Sequence, residues 1–260
     1  MKNELALLPP LFINSMVIIF GLVIGSFLNV VIYRLPLEKS IVKPASHCPA
    51  CENPVRWYHN IPLLSYLFLR GKCADCGVKI HWRYPFIEFL TAVLFYVGFR
   101  NTLDIAQFRI WLFISLGVAI AFIDLDHRII PDELSLGGWA IGILTAFWDF
   151  RNGFTHLLIA SVVGFGFFFL FALIYEKITG RVGLGGGDIK FMGTIGAFLG
   201  LGGIWSSLVI SSLVGVVVGV IVGKLQKSDE ILKTSIPYGP FLVAGAFIEL
   251  FYEVSKWMNI

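Results

Sequence analysis

The chain has 260 residues, of which 57% are hydrophobic and 14% are charged, and its mean hydropathy is +0.82. These values exclude an ordinary soluble globular domain and predict an all-α polytopic membrane protein embedded in a lipid bilayer. The net charge of +3 requires no nucleic-acid partner to explain it, and we expect none.

Apolar runs near bilayer length predict about eight transmembrane helices. The second and sixth runs are shorter than the ~17 residues that a membrane-crossing helix usually needs, so we expect them to begin or end within protein or water-filled space. The first run lacks a small-residue cleavage site and is expected to remain as a membrane helix. The runs cover approximately residues 11–33, 86–100, 108–125, 134–149, 155–176, 189–201, 204–223 and 239–254.

The first helix combines small and polar residues on the way to its carboxyl end. Gly21, Gly25 and Ser26 have the spacing that lets a neighbouring helix approach closely. Asn29 and Arg34 follow near the membrane boundary, and the simplest interpretation is a packing face with an Arg side chain extended to the interface.

A polar insertion follows the first helix and contains all four cysteines, in Cys48-Pro-Ala-Cys51 and Cys73-Ala-Asp-Cys76. Two Cys-x-x-Cys knuckles separated by a spacer of this length predict a zinc-ribbon-like site in which four thiolates hold one metal ion. Zinc in a structural role is favoured and iron is the alternative. His59 and His81 are less favoured ligands, because four thiolates already complete the coordination shell.

The positions of Lys and Arg predict the orientation of the chain in the membrane. Most of them lie on the same side as residues 34–85, which places this side in the cytosol and both termini outside. The cytosol keeps thiols reduced, so we expect bound metal rather than disulfides. The predicted domains are a first transmembrane helix (1–34), a cytosolic metal-binding insertion (35–85) and a seven-helix membrane domain (86–260).

Two acidic motifs lie at the predicted cytosolic edge of the membrane, Asp124-Leu-Asp126 and Gly185-Gly-Gly-Asp188. Ionisable side chains at membrane depth are costly and are therefore functional candidates. Two carboxylates brought together share one proton and can activate water while protonating a leaving group, as in aspartic proteases. Because Asp124 and Asp126 face nearly opposite sides of a helix, we expect Asp124 to be the partner of Asp188.

The glycines before Asp188 predict access for an extended substrate, because Gly185, Gly186 and Gly187 lack side-chain bulk. Asp126 and Lys190 are further candidates for substrate binding. The glycine run lacks the Lys-Ser/Thr ending of a phosphate-binding P-loop. The alternative interpretation of the acidic motifs is ordinary helix-end carboxylates beside Arg128 and Lys190.

Residues from about 21 to 246 resemble the bacterial type IV prepilin peptidases, a family of membrane aspartic proteases with a Gly-x-Gly-Asp element. Six motifs carry the resemblance in the same order. They are Gly25-Ser-Phe-Leu-Asn-Val-Val-Ile-Tyr-Arg-Leu-Pro36 in the first helix, Asn60-Ile-Pro-Leu-Leu-Ser65 between the knuckles, Arg83-Tyr-Pro-Phe-Ile-Glu88, Asp124-x-Asp126 with Ile-Pro-Asp132, Gly185-Gly-Gly-Asp188, and Ile236-Pro-Tyr-Gly-Pro240-Phe.

The resemblance implies a multi-pass protein of the bacterial inner membrane whose active site faces the cytosol. It would remove the leader peptides of prepilins and of type II secretion pseudopilins, with Asp124 and Asp188 as catalytic residues. Long family members also methylate the new amino terminus with S-adenosylmethionine, an activity associated with the cysteine insertion. The residues that we expect to serve methylation are Asn29, Arg34, Asn60, Arg83 and Glu88.

Two other functions remain open from the sequence. One is a peptidase without methyltransferase activity. The other is a membrane transporter or receptor in which the aspartates bind a cation or proton and the cysteine module recruits a partner. Only the peptidase activities predict a change in the mass of a prepilin.

Overall fold

The computed structural model describes residues 9–149, 153–181, 183–225 and 237–258 of the chain, with only the backbone of 222–225 and 257–258. These residues form α-helices joined by turns, short 3-10 helices and two isolated β-bridges. The helices are α1 (Pro10–Arg34), α2 (Leu64–Phe68), α3 (Arg83–Val97), α4 (Ile105–His127), α5 (Asp132–Thr145), α6 (Phe154–Thr179), α7 (Gly186–Leu225) and α8 (Gly239–Met258). The 3-10 helices are Leu35–Leu37, Trp57–Asn60 and Ala146–Trp148.

The predicted all-helical architecture is confirmed, with one difference in detail. The predicted sixth and seventh helices are the two parts of α7, and the break between them is at Gly200, where φ is 72° and ψ is −161°. The short helix α2 within the insertion was not predicted, because five residues are too few to show a period. Ile236 and the rest of 226–236 lie outside the described residues.

Four of the described helices are long and apolar enough to cross a membrane. They are α1 together with the 3-10 turn that follows it, α4, α6 and α7 as far as Ile221. The protein is therefore a multi-pass membrane protein. The shorter helices α3 and α5 and the more polar α8 are further predicted spans, and the total of about eight stays a prediction.

The chain divides into two compact units, Met1–Asp104 and Ile105–Ile260. In the first unit, α1 packs against α3 through its small residues. A Cβ atom on Gly21 would lie 2.6 Å from the Cα of Ala92, and one on Gly25 would lie 2.7 Å from the Cα of Glu88. These distances leave no room for a side chain, so the glycines permit the close helix packing that their spacing predicts. The division into domains 1–34, 35–85 and 86–260 remains a prediction.

In the second unit, α7 packs between α6 and α8, again with backbones in close approach. A Cβ atom on Gly196 of α7 would lie 2.6 Å from the carbonyl oxygen of Ala160 on α6. One on Gly245 of α8 would lie 2.6 Å from the Cα of Ser207 on α7. Helix α4 contacts α5 and α8, so it completes a bundle that holds both acidic motifs.

Candidate functional site

Asp124 lies near the carboxyl end of α4 and is buried, with 5% of its surface exposed. Its Oδ2 atom accepts a hydrogen bond of 2.8 Å from the backbone N–H of Gly239, the first residue of α8. A Cβ atom on Gly239 would lie 2.9 Å from this oxygen. Asp124 is thus held in one position by a backbone donor that approaches it closely because the donor residue is glycine.

Asp188 lies in the first turn of α7 and is partly buried. Its carboxylate accepts a hydrogen bond from the backbone N–H of Gly185 and interacts electrostatically with Asp124. The amino end of a helix stabilises a carboxylate, since the unpaired N–H groups there carry partial positive charge. Asp124 and Asp188 thus lie in the second unit close enough to interact electrostatically.

The glycine segment before Asp188 packs against the segment that follows α4. A Cβ atom on Gly187 would lie 2.8 Å from the Cβ of Ile130, whereas one on Gly186 would have no neighbour within 4 Å. Gly185 and Gly186 are exposed. Because Gly185 and Gly186 are exposed and have no side chains, a second extended chain could approach the backbone beside Asp188.

The other two predicted substrate-binding residues, Asp126 and Lys190, are near the acidic pair in sequence but form no part of it. Asp126 is exposed, on the opposite side of α4 from Asp124. Lys190 forms an ion pair of 2.6 Å with Asp132, which joins the start of α7 to the start of α5. The Lys190 ammonium thus has a carboxylate partner outside the acidic pair.

Gly239 and Tyr238 belong to this site and were not assigned a role from the sequence. The Tyr238 hydroxyl and Ser211 Oγ on α7 lie 2.6 Å apart, and this hydrogen bond anchors the residue that precedes Gly239. The Pro-Tyr-Gly-Pro segment is part of the motif pattern and could have drawn attention to Gly239. Ser211 has no signal of its own, because serines are frequent in apolar helices.

The four cysteines meet in the first unit as one cluster. Their sulfur atoms all lie within 4.8 Å of one another, and all four cysteines are free. The Sγ atoms of Cys48 and Cys76 are 3.8 Å apart. Four thiolates around one zinc ion at bond lengths of about 2.3 Å have sulfur separations of about 3.8 Å, so the donor set and its spacing fit zinc.

The two knuckles have the same backbone geometry. In the first, the N–H of Cys48 donates to Asn53 and the N–H of Glu52 donates to the Cys48 carbonyl; in the second, Cys73, Val78 and Gly77 repeat this arrangement. The backbone N–H groups of Cys51 and Ala50 lower the pKa of the Cys48 thiol to about 7. The two knuckles are therefore turns of the same type, and this type of turn is compatible with thiolates bound to a metal ion. His81 Nδ1 instead accepts a hydrogen bond from the N–H of Arg83.

Three of the predicted methylation residues are engaged in hydrogen bonds that hold the insertion to the helices or join α1 to α3. Arg34 donates to the carbonyls of Ser40, Pro44 and Ala45. Asn29 donates to the carbonyl of Tyr84, and Glu88 accepts from the N–H of Leu63. These contacts organise the first unit.

The remaining two predicted methylation residues are placed differently. Asn60 is exposed at the end of a 3-10 helix, and Arg83 is partly buried at the first position of α3. All five residues lie in the first unit with the cysteines, whereas the acidic pair lies in the second.

The membrane-crossing helices, the acidic pair and the cysteine cluster define a multi-pass membrane protein with two candidate sites, one in each compact unit. Comparison with family models gives the same division. A model described as "Bacterial Peptidase A24 N-terminal domain" matches residues 19–101, and one described as "Type IV leader peptidase family" matches residues 111–220. The matches fall on either side of the boundary between the two compact units.

Similar proteins include three that are called "Prepilin leader peptidase/N-methyltransferase". The Legionella pneumophila protein is 36% identical, with 99% of this chain and 98% of that protein covered. The Neisseria gonorrhoeae protein is 32% identical, with 99% and 96% covered. The Myxococcus xanthus protein is 42% identical over 78% of this chain, and the match spans 61% of that protein. No solved structure matches the chain significantly.

The chain belongs to the type IV leader peptidase family. This confirms the resemblance that its sequence motifs predict.

Proposed function

We propose that the protein is a membrane aspartic endopeptidase that removes the leader peptides of type IV prepilins and pseudopilins and N-methylates the new amino terminus. The observation that carries the peptidase assignment is the placement of Asp124 and Asp188 together, with the Gly239 N–H on Asp124. The near-complete coverage of relatives with both activities in their names supports the second activity.

In this proposal the acidic pair performs the hydrolysis without a covalent intermediate. A water molecule between the carboxylates loses a proton to the ionised one and attacks the scissile carbonyl carbon, while the protonated carboxyl donates to the carbonyl oxygen. When the tetrahedral intermediate collapses, a carboxyl proton passes to the leaving amine. Backbone hydrogen bonds from Gly239 and Gly185 keep both carboxylates in position for these transfers.

The substrate would enter from the bilayer as the helical amino-terminal segment of a prepilin. A helix shields its own peptide bonds, so the scissile bond has to be locally unwound before water can attack it. Exposed Gly185 and Gly186 leave space for such an extended segment beside Asp188. The distribution of Lys and Arg supports cleavage at the cytosolic face of the bacterial inner membrane.

Zinc would be held by Cys48, Cys51, Cys73 and Cys76, where it would stabilise the fold of the insertion. S-adenosylmethionine supplies an electrophilic methyl group to the free amine. Because Asn29, Arg34 and Glu88 are engaged in internal hydrogen bonds, they would position the insertion. Asn60, which is exposed at the end of its 3-10 helix, is then the stronger candidate for direct contact with the methyl donor or the amine, and Arg83 remains a candidate by resemblance.

The test is co-expression with a prepilin, followed by intact mass measurement of the processed product. The native chain should remove the leader and add one methyl group. Asp124→Asn and Asp188→Asn should each abolish leader removal while the protein remains in the membrane at normal levels. Asp104→Asn, which changes a half-exposed carboxylate paired with Arg100, is the matched control and should cleave normally.

Each departure from that result has a defined meaning. Full leader removal by either aspartate variant would refute the catalytic pair. Leader removal without the added methyl group would identify a peptidase without methyltransferase activity. An unprocessed prepilin with the native chain, together with cation-coupled transport in vesicles, would favour the transporter.

A further inference from the structure

The short helix α2 presents an apolar face that no other described residue covers. Leu64, Leu67 and Phe68 have 52%, 69% and 82% of their surfaces exposed. These residues are adjacent in sequence or one turn apart, so they form one continuous patch. Such a patch would be unfavourable in water, at roughly 25 cal/mol for each Å² of apolar surface. It indicates that this part of the insertion has a partner.

The contacts of α2 with α1 and α3 indicate the depth in the bilayer at which this partner lies. The backbone N–H of Leu63, directly before α2, donates a hydrogen bond of 2.9 Å to Glu88 Oε2 on α3. The same carboxylate accepts a hydrogen bond from the Ser26 side chain on α1. Ser26 lies more than two turns before Arg34, or about 12 Å along the helix axis.

That distance places the start of α2 well inside the cytosolic end of α1. The α1 span, Pro10–Leu37, has 28 residues and is longer than a bilayer core of about 30 Å requires. Ser26 lies about 16 Å from the end of this span, and the span exceeds the bilayer core by about 12 Å, so the start of α2 is at the level of the acyl chains, just inside the headgroup boundary when the excess length lies at this end.

The backbone around α2 also meets the requirement of a lipid environment, where polar groups need internal partners. The Ser65 hydroxyl accepts from the N–H of Ile61 and donates to the carbonyl of Tyr58. The N–H groups of Leu67 and Leu69 bond to carbonyls within the turn, as do those of Leu64, Ser65, Arg70 and Gly71. The segment can therefore leave water without unpaired donors at these positions.

Charge provides the final argument, because basic residues follow the apolar face at once. Arg70 and Lys72 come directly after α2, and basic residues outnumber acidic ones across 35–85. We propose that α2 is an interfacial helix whose Leu64, Leu67 and Phe68 side chains enter the acyl-chain boundary of the bilayer, with Arg70 and Lys72 on anionic headgroups. The insertion is then anchored to lipid between its two knuckles, whatever its enzymatic role.

The test uses the full zinc-loaded chain in nanodiscs of phosphatidylethanolamine and phosphatidylglycerol. Photoreactive p-benzoylphenylalanine replaces Phe68 in one variant and Val78, an exposed residue beside Cys76, in the matched control. Burial of a Phe-sized side chain favours the lipid-facing state by on the order of tenfold or more, so lipid adducts should be enriched to that extent at position 68 over position 78. Equal zinc content in the two variants shows that both insertions are folded, and Leu67 is the substitute position if the Phe68 variant loses zinc.

A second arm tests the headgroup contact. Replacing Arg70 and Lys72 with Ser should reduce the enrichment of phosphatidylglycerol over phosphatidylethanolamine in the adducts, by up to about fivefold for each charge removed. Lipid adducts at position 68 no more abundant than at position 78 would overturn the proposal. So would adducts to an added prepilin in place of lipid, because the apolar face would then be a substrate contact. Neither result depends on cleavage, so both can be distinguished from failure of the proposed function.

Discussion

Gly239 positions Asp124 through its backbone, and this role leaves no space for a side chain. A Cβ atom at this position would lie 2.9 Å from Asp124 Oδ2 and 3.1 Å from Asp124 Cβ. The N–H to Oδ2 distance is only 2.8 Å, so the two residues cannot separate without loss of that hydrogen bond. The Tyr238–Ser211 hydrogen bond restrains the neighbouring residue.

We expect Gly239→Ala to lower the rate of leader cleavage on the order of 100-fold, because displacing a catalytic group by about 1 Å has effects of this size. The measurement is the initial rate of prepilin cleavage in isolated membranes, normalised to the amount of enzyme. Gly137→Ala in α5 is the control, since a Cβ atom there would have no neighbour within 4 Å. Equal cleavage rates for the two variants would show that Gly239 does not position Asp124.

Some residues of the candidate sites can be recognised from the sequence and others cannot, for physical reasons. Asp124 and Asp188 are recognisable because ionisable residues are rare in long apolar segments. The cysteines are recognisable because their ligand spacing is restrictive. Gly239 acts through a backbone N–H that every residue except proline has, on an aspartate 115 positions away. The Pro-Tyr-Gly-Pro motif can mark the position of Gly239, but it does not specify this contact.

At the scale of elements, the break in α7 is stabilised by a buried charge from another helix. The non-helical Gly200 disrupts the hydrogen-bonding pattern of the preceding turn. Arg109 of α4 donates to the carbonyl oxygens of Ala197 and Phe198 in that turn, and also to Gly142 of α5 at 2.6 Å. Its Nε lies 3.5 Å from Asp149. One guanidinium thus links α4 with α5, α7 and the segment after α5.

Arg109→Met should destabilise the second unit by about 3 kcal/mol or more, because it removes the ion pair with Asp149 and the hydrogen bonds to several buried carbonyls. Thermal unfolding in detergent micelles measures the change. Lys256→Met is the control, since Lys256 is half exposed and its ion pair with Glu253 lies on the surface, where such pairs contribute little. An Arg109 variant as stable as the control would mean that these contacts contribute little.

The sequence predicts the membrane-length helices of this fold better than the short helix of the insertion. The apolar runs predict the bounds of seven of the eight described α-helices to within a few residues, because a bilayer requires such runs. The apolar runs 189–201 and 204–223 predict two helices here, and α7 breaks at Gly200, where Arg109 binds the carbonyls of Ala197 and Phe198 in the turn before the break. Helix α2 was missed because long-range contacts to Glu88 position it.

At the scale of the whole molecule, the two sets of site residues belong to different compact units. Asp124, Asp188 and Gly239 lie in the second unit, and the cysteines lie in the first with the methylation candidates. Hydrolysis by an acidic pair needs neither zinc nor a methyl donor. The insertion, by contrast, is too small to fold on a hydrophobic core alone, and a zinc ion at its four-cysteine cluster would supply the missing stability. The two activities should therefore respond differently to loss of zinc.

Cys73→Ser should release zinc and leave the second knuckle unable to complete the tetrahedral site. We expect the insertion to become sensitive to a soluble protease, and methylation of the processed prepilin to be lost. Leader removal should continue, because the acidic pair and the Gly239 contact lie outside the affected unit. Intact mass of the product reports both activities in one measurement, and the expected product is a leaderless pilin without the added methyl group.

Ser46→Ala, just before the first knuckle, is the control and should retain zinc and both activities. Loss of leader removal in step with zinc would show that the metal-bound insertion is also required for hydrolysis, and the two units could then not be treated as separate catalytic modules.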